Sequence, residues 1–234
     1  MSLLEIKDLD VYYGKIHALK KVSLNVGSSE CVGVIGPNGA GKTTLLDSIV
    51  GLTKRYGQIL YNGEDLTKLQ PWDIIRKTRI GYVTERNKVF PYLSVKDNLL
   101  VGGYCAKDRL KENLERVFEL FPILKERQHQ LAGTLSGGEQ QMLAIAKALM
   151  LEPKMLLLDE PTLGLAPAVI SKISEAINNM READISILIA EQNVTFTLMH
   201  ANRVYVLESG SIVMSGTTDE LKTDEYVKKA YFGL

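Results

Sequence analysis

The residues with the clearest chemical capacity form a glycine-rich loop near the start of the chain. They are Gly36, Pro37, Asn38, Gly39, Ala40, Gly41, Lys42 and Thr43. This spacing is that of a phosphate-binding loop (P-loop, residues 36–43), in which backbone N–H groups converge on a phosphate. The lysine can reach the terminal phosphates and the threonine hydroxyl can ligate Mg²⁺. The loop lies between the apolar run 31–35 and a helix-like stretch that begins at Thr44. This context also predicts a phosphate site, and we expect Thr44 to be one of its binding residues.

Two adjacent acids form a second candidate group. Asp159 and Glu160 end the apolar run 155–158, which predicts a parallel strand that delivers both carboxylates to the ligand-binding edge of a sheet. Beside a P-loop, we expect Asp159 to hold Mg²⁺ through water and Glu160 to polarise the water that attacks the terminal phosphate. Without such a loop, the same pair would indicate only an acidic turn before Pro161.

A third group lies at residues 135–141, before an apolar helix-like stretch at 142–150. Ser136 and Glu139 have the spacing of a capping box, which by itself indicates a helix start. Gly137 and Gly138 are unfavourable inside a helix but allow the backbone to approach an anion. The residues alone therefore leave open a plain helix start and a second phosphate contact.

The surrounding pattern predicts the elements that hold these groups. Apolar alternation or continuous apolar runs predict strands at 4–11, 22–26, 31–35, 80–83, 155–158, 185–190 and 203–207, with a short hairpin at 57–63. Residues 71–150 are predicted to be mainly helical apart from 80–83, and 167–180 to form another helix. Strands that alternate with helices imply a largely parallel sheet with both faces covered.

Composition limits the class of protein. The chain has 234 residues, of which 45% are hydrophobic and 24% charged, as in ordinary globular proteins. Its 28 basic and 28 acidic residues cancel, so no overall basic field favours nucleic acid or an anionic membrane. Cys31 and Cys105 lack metal or redox spacing, and the N-terminus lacks a secretory pattern, which fits a reducing cytosol. The three histidines are scattered and receive no catalytic role: His17, His129 and His200.

The string LSGGEQQ at 135–141 resembles the signature of ATP-binding cassette (ABC) ATPases. It lies between the P-loop and the acidic strand, in the order that this family shows, and the resemblance covers essentially the whole chain. It implies an α/β P-loop NTPase core with a mainly parallel sheet, an antiparallel β subdomain and an inserted α-helical subdomain. The implied single domain spans 1–234, with 1–85 and 152–234 as core and β subdomain and about 86–151 as helical subdomain.

The resemblance also implies a shared site. ABC ATPases bind two ATP molecules with Mg²⁺ between two head-to-tail subunits, the second being the same or a related chain. The signature residues would then contact the nucleotide held by the opposing subunit; these are Ser136, Gly137, Gly138 and Glu139. Tyr13 matches the aromatic residue that stacks on adenine, although plain packing also explains a tyrosine at a strand end. Residues 163–167 occupy the position of the D-loop, which touches the partner subunit.

Two positions depart from the commonest family pattern. Glu85 stands where most members carry a glutamine, and Gln192 where most carry a histidine. Glu85 could ligate Mg²⁺ or form a solvated pair with Arg86. Glutamine cannot take a proton near neutral pH, so we expect Gln192 only to position groups while Glu160 gives general-base assistance. The expected catalytic residues are thus Lys42, Glu160 and Gln192, and the expected metal ligands are Thr43, Glu85 and Asp159.

These departures, with residues 164–167 and 191–193, resemble the ATPase subunits of branched-chain amino-acid importers. Closely similar subunits serve urea or amide importers. The implied partners are transmembrane permease subunits and, indirectly, a solute-binding protein, with the chain held on the inner face of the cell membrane and no nucleic acid bound. Residues 89–93 resemble a region that docks a permease helix, though internal packing explains an apolar segment equally well.

Two other classes are alternatives. A soluble ABC ATPase acting on DNA or ribosomes would carry long heptads, a second cassette or a basic stripe, and the sequence shows none of them. A P-loop kinase or GTPase has no use for the signature string, and the N-K-x-D base-reading motif is missing from the sequence.

Overall fold

Two β-sheets organise the computed structural model, which describes residues 2–86 and 88–224. The strands are β1 (Ser2–Tyr13), β2 (Ile16–Gly27), β3 (Cys31–Ile35), β4 (Arg55–Tyr61), β5 (Glu64–Asp65), β6 (Gly81–Val83), β7 (Met155–Asp159), β8 (Ser186–Glu191), β9 (Arg203–Glu208) and β10 (Ser211–Thr217). The helices are α1 (Lys42–Ile49), α2 (Pro71–Thr78), α3 (Val95–Gly102), α4 (Leu110–Leu120), α5 (Pro122–Glu126), α6 (Gly137–Leu149), α7 (Pro167–Glu182), α8 (Val194–His200) and α9 (Thr218–Thr223). Short 3₁₀ turns cover Tyr104–Arg109 and Ala132–Thr134.

The larger sheet brings the candidate groups to one edge. Its six strands have the order β10-β9-β3-β8-β7-β6, and every neighbouring pair is parallel except β10 with β9. Ile35 pairs with Glu191, and Asp159 pairs with Ala190. Because parallel strands share a direction, the loops that follow β3, β7 and β8 leave the sheet side by side.

The smaller sheet is antiparallel, with four strands in the order β2-β1-β4-β5. It stacks on one face of the larger sheet, where the buried side chains of both sheets join α1 and α2 in one apolar cluster. The other face of the larger sheet packs against α6, α7 and α8 in a second cluster. Adjacent residues divide between the two clusters, as with Leu157 and Leu158, because successive strand side chains point to opposite faces.

Helices α3 to α6 fill the interval between β6 and β7 in the chain. Their starts follow local capping chemistry, because a helix begins with N–H groups that lack intrahelical partners. Ser94 Oγ accepts the N–H of Asp97 at the start of α3. At the start of α6, Ser136 and Glu139 form both halves of the predicted capping box.

The α/β fold class predicted from the sequence is confirmed, including the mainly parallel sheet and the antiparallel one. The predicted hairpin at 57–63 is centred too early, because its turn is Asn62 and Gly63 and its second strand is only β5. The residue pattern predicted no element after residue 207, where β10 and α9 lie. The division into core and helical subdomains stays a prediction, and its last residues, 225–234, lie outside the described part of the chain.

Among residues 2–86 and 88–224, none of the helices is both long enough and apolar enough to cross a membrane.

A methyl group added at Gly33 should destabilise the fold, because Gly33 lies where β3 meets α8. An ideal Cβ there would overlap the Thr197 methyl and approach Val204 Cγ2 to 3.1 Å. We expect Gly33→Ala to lower the free energy of unfolding by about 1–3 kcal/mol, measured by urea denaturation. The control is Gly137→Ala, where no atom lies within 4 Å of the new Cβ. Equal stability of the two variants would contradict this packing argument.

Candidate active site

A cavity of about 640 Å³ opens over the P-loop. This volume lies in the range of small-molecule sites, ~300–1,000 Å³. Of the predicted site residues, those that line the cavity are Tyr13, Asn38, Gly39, Gly41, Lys42, Thr43, Thr44, Glu85 and Glu160. The cavity thus unites residues from the β1–β2 turn, the P-loop and the ends of β6 and β7.

The P-loop joins β3 to α1 and is held by main-chain contacts. Gly41 occupies the N-cap of α1 with φ of 110°, a left-handed conformation that favours glycine. Ala40 O accepts the N–H of Gly210, 2.9 Å away in the turn between β9 and β10. These contacts present the N-terminus of α1 to the cavity, which suits an anionic group.

Lys42 and Glu160 form a buried ion pair at the centre of the site. Lys42 Nζ lies 3.0 Å from Glu160 Oε1, and the two side chains are only 5% and 7% exposed. Lys42 Nζ also donates to the carbonyl oxygens of Gly36 at 2.8 Å and Pro37 at 3.2 Å. Glu160 Oε2 accepts the N–H of Gln192 at 3.2 Å. Each charge is therefore compensated, which a buried charge requires.

Asp159 lies beside this pair with its charge uncompensated. Its side chain is fully buried, and neither carboxyl oxygen accepts a hydrogen bond of standard geometry from residues 2–86 and 88–224. Burial raises the pKa of Asp159 to about 6; a favourable interaction with the Thr43 hydroxyl limits this rise, and the charges of Glu160 and Glu85 increase it. A cation near Asp159 would remove this electrostatic cost.

This donor set fits Mg²⁺ bound together with a phosphate ligand. Asp159 and Thr43 supply the oxygen atoms that Mg²⁺ prefers. Within residues 2–86 and 88–224, no three His, Cys, Asp or Glu side chains are grouped to hold a metal by themselves. The remaining ligands would have to be water and phosphate oxygens, as is usual for Mg²⁺ with nucleotides.

Glu191 is a buried polar group to which the residue pattern assigned no role. It ends β8 as Asp159 ends β7, so the same pattern of an acid after an apolar run could have identified it. Its Oε1 accepts the N–H and the hydroxyl of Thr162 at 2.9 and 2.6 Å, and its Oε2 accepts the N–H of Asn193 at 3.0 Å. Glu191 therefore connects the segment after Glu160 to the segment that carries Gln192.

The β1–β2 turn forms the outer wall of the cavity. Tyr13 is 49% exposed and lines it, a position open to a flat ring. His17, which received no role from the sequence, also lines the cavity; its ring stacks on Tyr12 and its Nε2 lies 2.6 Å from Asp10 Oδ1. Neither the tyrosine stack nor the His17 contact has a signature in residue spacing.

The two unusual positions differ in their relation to the cavity. Glu85 lines the cavity and its Oε1 lies 3.5 Å from Arg86 Nε, with the arginine side chain 86% exposed. The pair with Arg86 is thus formed, while Glu85 also faces the cavity where a metal ligand would lie. Gln192 is exposed and does not line the cavity.

The signature residues lie away from this cavity. None of Ser136, Gly137, Gly138 and Glu139 is among the described residues that line it. Glu139 is fixed by the capping box and by Arg127, whose Nη2 lies 3.1 Å from Glu139 Oε1. In a single chain these residues thus lie outside the P-loop cavity.

The segment at 89–93 combines buried and exposed apolar residues. Val89 packs against the core, whereas Phe90 and Tyr92 are 48% and 90% exposed. Lys147 Nζ, on α6, lies 5.0 Å from the Phe90 ring centroid. Internal packing therefore accounts for Val89 but not for the two aromatic residues.

Comparison with known proteins adds a family context to this geometry. The family model described as ABC transporter matches residues 19–163. The high-affinity branched-chain amino acid transport ATP-binding protein BraG of Pseudomonas aeruginosa is 48% identical over 99% of this chain and 100% of that protein. The probable branched-chain amino acid transport protein LivF of Archaeoglobus fulgidus is 37% identical over 99% of each. The lipopolysaccharide export protein LptB of Haemophilus influenzae is also 37% identical, over 100% of this chain and 98% of that one.

Solved structures agree with the fold. The ADP conformation of the ABC transporter cassette MJ1267 has a TM-score of 0.85 and 28% identity, with 100% of both chains covered. The dimeric bacterial ABC transporter cassette MJ0796 has a TM-score of 0.81 and 26% identity, covering 92% of this chain and 98% of that one.

In the absence of nucleotide and metal, Asp159→Asn should increase the free energy of unfolding, and the increase should depend on pH. The raised pKa of Asp159 means that its ionised form opposes folding, by an amount that grows as pH rises from about 4 to about 6 and is then constant. Asparagine removes this cost, so we expect a gain of about 1–3 kcal/mol at pH 7.5 and a gain about one third as large near pH 4.5.

Urea unfolding at both pH values, in buffer with a metal chelator, measures the difference. Glu160→Gln is the control: its parent carboxylate is already paired with Lys42, so it should show no such gain. A gain in Asp159→Asn that is equal at both pH values would argue against an ionised, uncompensated Asp159.

Proposed function

Because the chain belongs to the ABC transporter family, we propose that it is the ATPase subunit that energises a membrane importer of branched-chain amino acids. As an ABC ATPase it binds ATP and hydrolyses it to ADP and phosphate. The observation that carries the importer assignment is the full-length similarity to BraG, at 48% identity. The similarity to LptB, at 37%, favours an export ATPase as the second candidate.

The Lys42–Glu160 pair supports a specific order of events. In the chain without nucleotide, Lys42 forms an ion pair with the Glu160 carboxylate, which would act as the general base. The β- and γ-phosphates of ATP would draw Lys42 Nζ toward themselves, since several negative charges compete with one. Glu160 would then be free to accept a proton from the attacking water, and Gln192 would position groups around it.

We assign the metal ligands to Thr43, Asp159 and, at the rim, Glu85. When bound there, Mg²⁺ would neutralise charge on the β- and γ-phosphate oxygens. Asp159 would gain a compensating charge, and the Thr43 hydroxyl would orient toward the same position. Tyr13 would cover the base, because it lines the cavity and is half exposed.

The complete enzyme would be a pair of subunits. Ser136 to Glu139 would contact the γ-phosphate held by the partner P-loop, which explains why they lie outside the cavity of a single chain. The partner is a second copy or a related ATPase, and permease subunits would hold both on the inner face of the cell membrane. A solute-binding protein would select the transported solute, and no nucleic acid takes part.

We assign permease docking to Phe90 and Tyr92. Both are exposed, while Val89 next to them anchors the segment in the core. The segment follows Glu85 by a few residues, so a change at the nucleotide rim would reach the docking residues through a short stretch of backbone.

Glu160→Gln tests the enzymatic part of this proposal. The amide cannot accept the proton of the attacking water, so we expect the ATPase rate to fall by about 10²–10⁴-fold while ATP still binds. Analytical ultracentrifugation with ATP and Mg²⁺ should then detect a trapped dimer. The control is Glu119→Gln on α4. A variant that keeps the parent rate would remove Glu160 from the mechanism, and a monomer that still binds ATP would require a different partner chain.

Phe90→Ala tests the docking part. We expect amino-acid uptake by the assembled transporter to fall by ~10-fold or more while basal ATPase activity and the unfolding midpoint stay unchanged, because Phe90 is half exposed. Uptake into membrane vesicles and ATPase assays on the same preparation measure both. Met199→Ala, an exposed apolar position on α8, is the control. Loss of folding in Phe90→Ala would favour a core role instead.

A further inference from the structure

A second cavity, of about 470 Å³, lies at the opposite edge of the larger sheet from the P-loop. Pro153 and Ile185, which come just before β7 and β8, line it, whereas Glu160 lines the P-loop cavity at the other end of β7. A strand of five residues separates the two cavities by about 13 Å or more. The volume lies in the range of small-molecule sites, and none of the residues assigned to ATP lines this cavity. It is therefore a separate candidate site.

Helix α4 and the ends of α6 and α7 form the walls of this cavity. On α4, Asn113, Arg116, Val117 and Leu120 recur at the spacing of three and four residues that defines one helix face. The other wall comes from the last residue of α6, the last turn of α7 and the segments that enter β7 and β8. The larger apolar side chains of the lining are Val117, Leu120, Leu149, Pro153, Met180 and Ile185. They provide a surface that suits an apolar group of a small ligand.

The charged side chains of α4 give the cavity one free charge of each sign. Arg116 and Glu119 both line it and are exposed, and neither has an ion pair or a side-chain hydrogen bond among residues 2–86 and 88–224. Glu152 lines it too, but its carboxylate lies 2.9 Å from Arg109 Nη1 and 3.7 Å from Arg79 Nη1. Glu152 is thus already compensated, while Arg116 and Glu119 are available to a ligand.

Asn113 adds a buried acceptor to the same wall. It is 2% exposed, and its Nδ2 donates to Met150 O over 3.3 Å, while Oδ1 has no hydrogen-bond partner among the described residues. Buried polar atoms are nearly always paired, so this carbonyl oxygen beside a cavity points to a ligand that carries a donor. Because the Nδ2 bond is long, the amide can turn toward the cavity at little cost.

These groups distinguish between classes of ligand. An inorganic anion such as phosphate would meet the carboxylates of Glu119 and Glu152, and a hydrocarbon would leave the polar atoms of the wall unpaired. A zwitterion with an apolar side chain suits every part of the lining. We propose that the cavity binds an α-amino acid of this kind, with its carboxylate on Arg116, its ammonium on Glu119 and Asn113 Oδ1, and its side chain against the apolar wall.

A bound amino acid would join α4 to the ends of α6 and α7. It would stabilise the fold, because a ligand that binds only the folded chain raises the free energy of unfolding. The site shares no residue with the proposed ATP site, so this inference goes beyond the proposed function and does not depend on it. Where the importer assignment also holds, the ligand belongs to the chemical class of the transported solute.

Isothermal titration calorimetry of the full chain with L-leucine tests the site. We expect one leucine to bind per chain and to raise the unfolding midpoint. Three analogues each lack one feature: leucinamide has no carboxylate, 4-methylpentanoate has no ammonium, and glycine has no apolar side chain. Each should bind at least about tenfold more weakly, because each loses a charge-assisted hydrogen bond or the apolar contact. Equal binding of leucine and 4-methylpentanoate would overturn the assignment of a zwitterion.

Arg116→Gln and Glu119→Gln should each weaken leucine binding by about tenfold while ATP binding stays unchanged. Both residues are exposed, so the variants should fold like the parent. The matched control is Lys111→Gln, at an exposed position of α4 that does not line the cavity. Parent-like leucine binding by either variant, competition of leucine with ATP, or neither heat nor a midpoint shift with millimolar leucine would show that the inference is wrong. None of these results would alter the outcome of the Glu160→Gln test of the ATPase.

Discussion

The buried contact between Lys42 and Glu160 joins the two loops on which the site depends. Removing two charges from water costs several kcal/mol per ion unless each gains close partners. Here the lysine has three, Glu160 and the carbonyls of Gly36 and Pro37, while the carboxylate also accepts the N–H of Gln192. These partners come from the loops after β3, β7 and β8. The contact therefore exists only if those strands are adjacent and in register, as the parallel sheet makes them.

Asp159, the residue before Glu160, is buried without such compensation. Its carboxyl group is slightly more buried than that of Glu160 but has no compensating donor of standard geometry among the described residues, and burial raises its pKa. Burial of the Asp159 carboxylate costs free energy. The two apolar clusters offset this cost, because they bury most of the hydrophobic residues of the strands. An uncompensated acid beside a compensated one favours a cation next to the P-loop threonine.

The candidate site divides into parts that residue patterns predict and parts that they do not. The P-loop, Asp159 and Glu160 were predicted because each follows a continuous apolar run, and the capping box of Ser136 and Glu139 because its partners are three residues apart. Local rules govern all of these. By contrast, the ion pair of Lys42 with Glu160 and the bonds of Glu191 with Thr162 join residues far apart in the chain. No local sequence pattern specifies these contacts, even where the residue types are capable of forming them.

The sequence by itself determined the α/β class, the order of the strands along the chain, the phosphate loop and the resemblance to ABC ATPases. Each depends on spacing within a short segment, where turn geometry and side-chain alternation act directly. Only the tertiary structure decided that Lys42 lies against Glu160, that Tyr13 and His17 share one wall of the cavity, and that the signature lies outside it. It also decided that Phe90 and Tyr92 are exposed, while Gln141 is buried with no hydrogen-bond partner among the described residues. These outcomes depend on how separate elements pack, because burial and charge compensation are properties of the assembled core rather than of any one segment.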